Sequence, residues 1–188
     1  CCILPLNSSA VMETQWVAIV DSGKFDWSAS DKFPTLSQPN PSYHGLKFHE
    51  TFGELAFGIA CRALGLRDLG PALSPFNAFM ILTGIETLHL RMKQHSENAL
   101  KVAEFLSGHD KVAWVSQAAL PSDPYNALAQ KYMRDGSGGA VMTFGVKGGY
   151  NEGVKVVESV ELLSHLANIG DTRSLVLHPA STTHRQLT

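Results

Sequence analysis

The sequence predicts an α/β protein in which a long helix bridges two packed units. Three observations carry this: a helical stretch over 72–109, an apolar helical run at 52–66, and strands alternating with helices after residue 110. In the long stretch Ser74 suits an N-cap, Pro75 the first helical position and Gly108 the closing turn. About 33 residues from Pro75 to Ser107 hold no internal proline, enough for roughly 50 Å of helix. Its first half is apolar on every side, with Phe76, Phe79, Met80, Ile81, Leu82, Ile85 and Leu88. Its second half sets Leu100, Val102, Phe105 and Leu106 among Lys93, Glu97, Lys101 and Glu104. Such a helix starts inside one packed unit and runs out along another.

Upstream, residues 1–15 carry no clear period, and 16-WVAIVD-21 reads as a buried strand that Ser22-Gly23 ends. Residues 24–45 are loop-like, rich in Asp, Ser, Pro and Asn. A loop that long is either functional or a surface excursion pinned by Phe25, Trp27 and Phe33. The run 52–66 predicts a buried helix through Leu55, Phe57, Ile59, Ala60, Ala63 and Leu64. Downstream come strands at 112–116, 140–146 and 174–179, and helices at 125–133 and 151–166. They describe a small α/β unit, and the change of texture puts a domain boundary near His109.

Composition narrows the function. A net charge of −2 with 17% charged residues lacks the basic face that nucleic acid requires. Gly84, Glu86 and His89 interrupt the densest apolar run before it reaches the ~20 residues of a membrane span. Cys1, Cys2 and Cys61 form neither a disulfide framework nor a metal pattern, so a reducing, cytoplasmic location is expected. The opening CCILPL lacks an initiator Met and a basic region; it reads as a start in the middle of a longer sequence rather than a signal peptide.

The glycine clusters at 135–140 and 145–149 lack the strand–GxGxxG–helix and GxxxxGK[ST] arrangements, and read as turns. The eight histidines contain no HExxH motif, and His89 and His95 fall on different helix faces, so no metal site is expected. His44 and His49 are either site residues of the loop or solvated histidines. Cys61, in an apolar helix, reads as a buried structural thiol. No GxSxG elbow is present. The segment 168-NIGDTRSLVLHPASTTHRQLT-188 holds the most chemistry, with Arg173, Ser174, Ser181, Thr182, Thr183 and His184 around one strand. Hydroxyl and guanidinium donors suit a small carboxylate; the alternative is an ordinary polar strand end.

The strings VDSGKFDW, LRDLG, LSPFNAF, GIETLHLRMKQHSENALKVAEFL, FGVKGG and SHLANIGDTRSLVLHPASTTH resemble the C-terminal part of the O-acetylhomoserine sulfhydrylases. These are pyridoxal-phosphate (PLP) enzymes of cysteine and methionine metabolism, and the likeness runs from about Ala18 to Thr188. It implies a fold-type I PLP-dependent transferase, usually a homo-oligomer with shared active sites. Residues 1–109 would be a remnant of the large PLP-binding domain with the bridging helix, and 110–188 a truncated small α/β domain. The implied reaction replaces the acetoxy group of O-acetylhomoserine with sulfide or a thiol, giving homocysteine or methionine.

Residue by residue, the resemblance puts Ser174 near the substrate carboxylate, with Arg173 beside it. The Schiff-base lysine belongs in a SATK-like stretch some dozen residues before VDSGKFDW, and the window 1–16 holds no lysine. Lys24 belongs to GKFDW and is not that lysine. The carboxylate-binding arginine falls after Thr188, and the aspartate and glycines that hold the cofactor fall before residue 1. The expectation is a chain that binds PLP weakly or not at all and is inactive alone. Alternatives are a non-catalytic subunit on a full-length homologue and a related cystathionine or methionine lyase.

Overall fold

The computed structural model describes residues 2–7 and 15–186, with side chains from Ile19 to Gln186. Packing divides the chain into two units, one formed by Val17–Ala78 and the other by the residues from Phe79 onward.

Strand β2 (Gln15–Val20) forms where the apolar run 16–21 predicts it, but Ile19 and Val20 are exposed, not buried as expected. It pairs with β1 (Cys2–Asn7), which the aperiodic residues 1–15 do not announce. The loop after β2 is pinned by aromatic rings. Phe25, Trp27 and Phe33 meet edge to face with centroids 4.7–5.4 Å apart, and Trp27 stacks on Phe57 at 5.3 Å. Inside the loop Pro34 starts the short helix α1 (Pro34–Ser37), which buries Leu36.

The helical run that follows changes its winding three times. Helix α2 (Phe48–Phe52) ends at Gly53, whose φ of 52° no β-branched residue would accept. A 3₁₀ turn, Gly53–Leu55, leads into α3 (Ala56–Ala60), and a π-helical stretch, Cys61–Leu69, closes at left-handed Gly70. These changes rotate the apolar face away from the one a regular helix would present. Ala56 and Ala60 are buried, Phe57, Ile59, Ala63 and Leu64 are partly buried, and Leu55 is 68% exposed. Cys61 is likewise exposed, not the buried thiol that its apolar neighbours suggest. The core of this unit is Leu36, Phe48, Ala56 and Ala60.

The long helical stretch is not one helix. It divides into α4 (Pro75–Glu86) and α5 (Leu88–Ser107) at Thr87, whose φ of −101° and ψ of 0° lie at the edge of the right-handed helical region. Ser74 caps α4 as expected, its hydroxyl accepting from the Asn77 N–H at 3.1 Å. All-round apolarity does not mean burial here. Ile81 is buried, whereas Phe76, Phe79 and Leu82 are each 63% exposed, because the described residues cover only one side of α4.

In the second unit β3 (Val112–Ser116) pairs antiparallel with β4 (Thr143–Val146), with an irregularity between Val112 and Trp114. A Cβ on Gly145 would collide with the Trp114 indole, so the close pairing depends on glycine there. Helix α6 (Asn126–Tyr132) starts beside buried Asp123, which accepts from Ser116 Oγ and the Tyr125 N–H, both at 2.9 Å. The glycine clusters are turns: Gly136, Gly139, Gly148 and Gly149 all have positive φ. Helix α7 (Tyr150–Ser159) is shorter than expected. Val160 turns extended, and the chain enters β5 (Ser164–His165), a strand the sequence does not signal. β5 pairs parallel with β6 (Leu175–Val176), the core of the strand expected at 174–179. The mixture of helices and strands is an α/β architecture, and among the described residues its sheets are two-stranded pairs.

Candidate functional site

The connection 166–174, between β5 and β6, carries the two residues that the sequence nominates. Its turn is built around Asp171. The Asp171 carboxylate accepts from the Arg173 N–H at 2.9 Å, from Arg173 Nε at 3.2 Å and Nη2 at 3.1 Å, and from Asn168 Nδ2 at 3.2 Å. An aspartate bonding the N–H two residues on is an Asx turn, and the Arg173 fork completes a two-pronged ion pair. These bonds, led by those from Arg173, hold the Asp171 carboxyl far below the usual carboxylate range. Stability linked to Asp171 is therefore full above its unfolded value near 3.8 and is lost only as pH falls toward the much lower folded value. A ¹³C titration of this carboxyl is expected to have its midpoint well below 3.8; a midpoint at or above that value contradicts the pairing.

Ser174 stands at the mouth of β6 and is exposed. Its carbonyl accepts from the Ser164 N–H at 2.9 Å, which fixes the peptide. Among the described residues its hydroxyl has no hydrogen-bond partner in the protein, so it is available to a ligand. Arg173 also reaches the surface, but its guanidinium is engaged by Asp171. The two neighbours thus take different parts: Ser174 presents a hydroxyl, and Arg173 shapes the turn beneath it.

The remaining polar residues organise a second turn. His178 Nδ1 lies 3.0 Å from Ser181 Oγ, and the His178 carbonyl accepts from Thr182 Oγ1 at 2.8 Å. The His178 ring meets Tyr150 edge to face at 5.0 Å and rests where a Cβ on Gly153 would clash. Thr183 Oγ1 lies 2.8 Å from His184 Nδ1. An open cleft of about 620 Å³ lies beside this turn, lined by Tyr150, Lys155, His165, Ser181 and Thr182 among others. Neither Arg173 nor Ser174 lines it. Among the loop histidines, His49 Nε2 sits 3.0 Å from Asp26 Oδ1, and His44 is an exposed left-handed C-cap.

The family described as Cys/Met metabolism PLP-dependent enzyme matches residues 17–188. The chain belongs to this family. Among curated relatives, an O-acetyl-L-homoserine sulfhydrylase of Leptospira meyeri is 53% identical over 178 residues. That alignment covers 90% of this chain and 40% of the relative. O-acetyl-L-homoserine sulfhydrylase 1 of Thermus thermophilus is 50% identical, over 93% of this chain and 43% of its own length. A homocysteine synthase of Schizosaccharomyces pombe is 52% identical, covering 90% and 40%. The chain thus spans about two-fifths of the length of these relatives. A crystal structure assigned as an O-acetylhomoserine (thiol)-lyase of Campylobacter jejuni superposes with a TM-score of 0.73 at 38% identity. It covers 86% of this chain and 38% of that one, and it contains a pyridoxyl-lysine phosphate.

A family PLP enzyme needs a lysine in a water-excluded site, because only the uncharged amine attacks an aldehyde. All nine lysines of this chain are exposed. Lys24 follows β2 in a turn, Lys47 pairs with Glu50 at 3.0 Å, and Lys155 pairs with Glu152 at 3.1 Å. The residues present do not build the cofactor's covalent anchor. The sequence missed Asp171 and Asn168 as parts of the 166–174 turn, although the Asn-x-x-Asp-x-Arg spacing is a readable turn signal.

Proposed function

We propose that this chain is the substrate-carboxylate side of a PLP-dependent sulfur-transfer enzyme, one that replaces the acetoxy group of O-acetylhomoserine with sulfide or a thiol to give homocysteine or methionine. The observation that carries the reading is the exposed Ser174 hydroxyl on a braced turn, within a chain whose family match runs over 17–188. The names of the relatives support the substrate. A serine hydroxyl donates one hydrogen bond to a carboxylate oxygen. Residues 1–109 contribute to the large domain of the complete enzyme and 110–188 form its small domain. The catalytic lysine and the cofactor cradle come from residues other than these, in the same enzyme or in a full-length homologue. The uncovered apolar ridge of Phe76, Phe79 and Leu82 supports such an association, since isolated proteins rarely leave so many large apolar side chains bare. The setting is cytoplasmic; no helix among the described residues is long and apolar enough to cross a membrane.

The test is a chimera joining residues 17–188 to the N-terminal three-fifths of the Leptospira relative. It is expected to make homocysteine from O-acetylhomoserine and sulfide. In it Ser174→Ala is expected to raise KM about tenfold, the cost of one hydrogen bond to a charged group, with a smaller change in kcat. A chimera that cleaves cystathionine or methionine instead, or a Ser174→Ala variant with unchanged KM, contradicts the reading.

A further inference from the structure

A loop joining two strands of two residues each has little sheet to hold it, and its ordering must come from side chains. Asp171 supplies one hold, through Arg173 and Asn168. Arg91 on α5 supplies another. Its Nη1 donates to the Gly170 carbonyl at 3.4 Å, its Nη2 to the Gly84 carbonyl in the last turn of α4 at 2.9 Å, and its Nε to Thr87 Oγ1 at 3.4 Å. Gly84 lies among the last carbonyls of α4, which lack helical partners, so the guanidinium both caps a helix end and reaches the loop. Gly170, at φ +78°, takes a left-handed conformation that aims its carbonyl at Arg91.

We propose that Arg91 and Asp171 are positioning residues that clamp the 166–174 loop at adjacent points and thereby present the Ser174 hydroxyl to a carboxylate ligand. This rests on the reading of Ser174 given above. Arg91 fixes the backbone at Gly170 against the α4–α5 break, and Asp171 draws the Arg173 guanidinium back over the loop. The two-pronged ion pair holds Arg173 in the turn, and Ser174, the next residue, stays exposed at the strand mouth. The Ser174 carbonyl then meets the Ser164 N–H, which sets the height of the hydroxyl at the strand mouth. The double reach of Arg91 uses donors on separate nitrogens of a planar fork; a lysine ammonium offers its three donors from one atom and lacks that span.

The experiment uses the full chain, ¹⁵N-labelled, with Arg91→Lys, Asp171→Asn, Asp171→Glu and Ser174→Ala variants whose melting temperatures are also measured. Hydrogen exchange at the Ser164 amide reads the clamp without a ligand. It is expected to quicken about tenfold in Arg91→Lys and Asp171→Asn as the local opening becomes easier, with recovery in Asp171→Glu. Titration with O-acetyl-L-homoserine, followed at the Ser174 amide against the methyl ester as control, reads the ligand. The same two variants are expected to bind the acid about tenfold more weakly while still folded at the titration temperature, as a displaced hydroxyl would. Unchanged exchange and affinity in both overturns the clamp while leaving Ser174 in place. A wild-type response absent, equal for acid and ester, or unaltered by Ser174→Ala overturns the Ser174 reading, and with it the clamp's role in ligand binding.

Discussion

Phe48→Ala is expected to destabilise the first unit by about 3–5 kcal/mol, the range for truncating a buried phenylalanine. Phe48 is 1% exposed and is the largest fully buried apolar side chain among the described residues. Of the four residues at the centre of that unit, two are alanines, so Phe48 and Leu36 supply most of its buried apolar volume. The Phe48 ring also meets Tyr43 edge to face at 5.6 Å and lies 6.1 Å from Phe52. Each good aromatic pair adds about 0.5–1.5 kcal/mol beyond its area. Against a typical domain stability of about 5–15 kcal/mol, the loss leaves the aromatic loop and the 48–69 helical run close to unfolding. Urea unfolding followed by Trp27 fluorescence, in a Trp16→Phe, Trp114→Phe background, measures this. A midpoint shift worth less than about 1 kcal/mol would contradict the assignment of Phe48 as the core, since surface substitutions stay within about 0.5 kcal/mol.

The parts of the fold that could be read beforehand are those written in local chemistry. Ser74-Pro75 announces the start of α4, the Gly pairs announce the turns around β4, and the short apolar run 112–115 announces β3. The Phe25–Trp27–Phe33 pin is legible because aromatics in a polar loop must bury against something. What was not legible depends on distant partners. The break at Thr87 coincides with Arg91 reaching Gly84 and Gly170, and the latter lies 79 residues away in sequence. Strand β5 is only two residues long and exists because β6 lies beside it. Leu55 fails as a core residue because it lies in the 3₁₀ turn Gly53–Leu55, whose phase a fixed 3.6-residue period does not anticipate.

The site divides in the same way. Ser174 was nominated by resemblance, and the structure gives it exposure and a fixed peptide. Arg173 was nominated as a carboxylate donor, but the side chain two residues before it engages its guanidinium. The grouping of Ser181 and Thr183 with Arg173 was a matter of sequence proximity; Ser181 instead bonds His178, and Thr183 bonds His184.

The largest effect concerns the cofactor. Without a lysine held in a dry site, the chain alone is expected to show no O-acetylhomoserine turnover above the uncatalysed rate, a deficit of about 10⁶-fold or more against a competent enzyme. All nine lysines are exposed, and none is enclosed in the dry pocket that holds a Schiff-base amine against the cofactor's aldehyde. PLP mixed with the chain would meet them as scattered surface amines. Borohydride reduction of that mixture, followed by peptide mapping, tests the central claim most directly. The account predicts weak label spread over several of Lys24, Lys32, Lys93, Lys101, Lys111 and Lys147, with no turnover. Stoichiometric label on a single lysine, together with homocysteine formation from O-acetylhomoserine and sulfide, would contradict it.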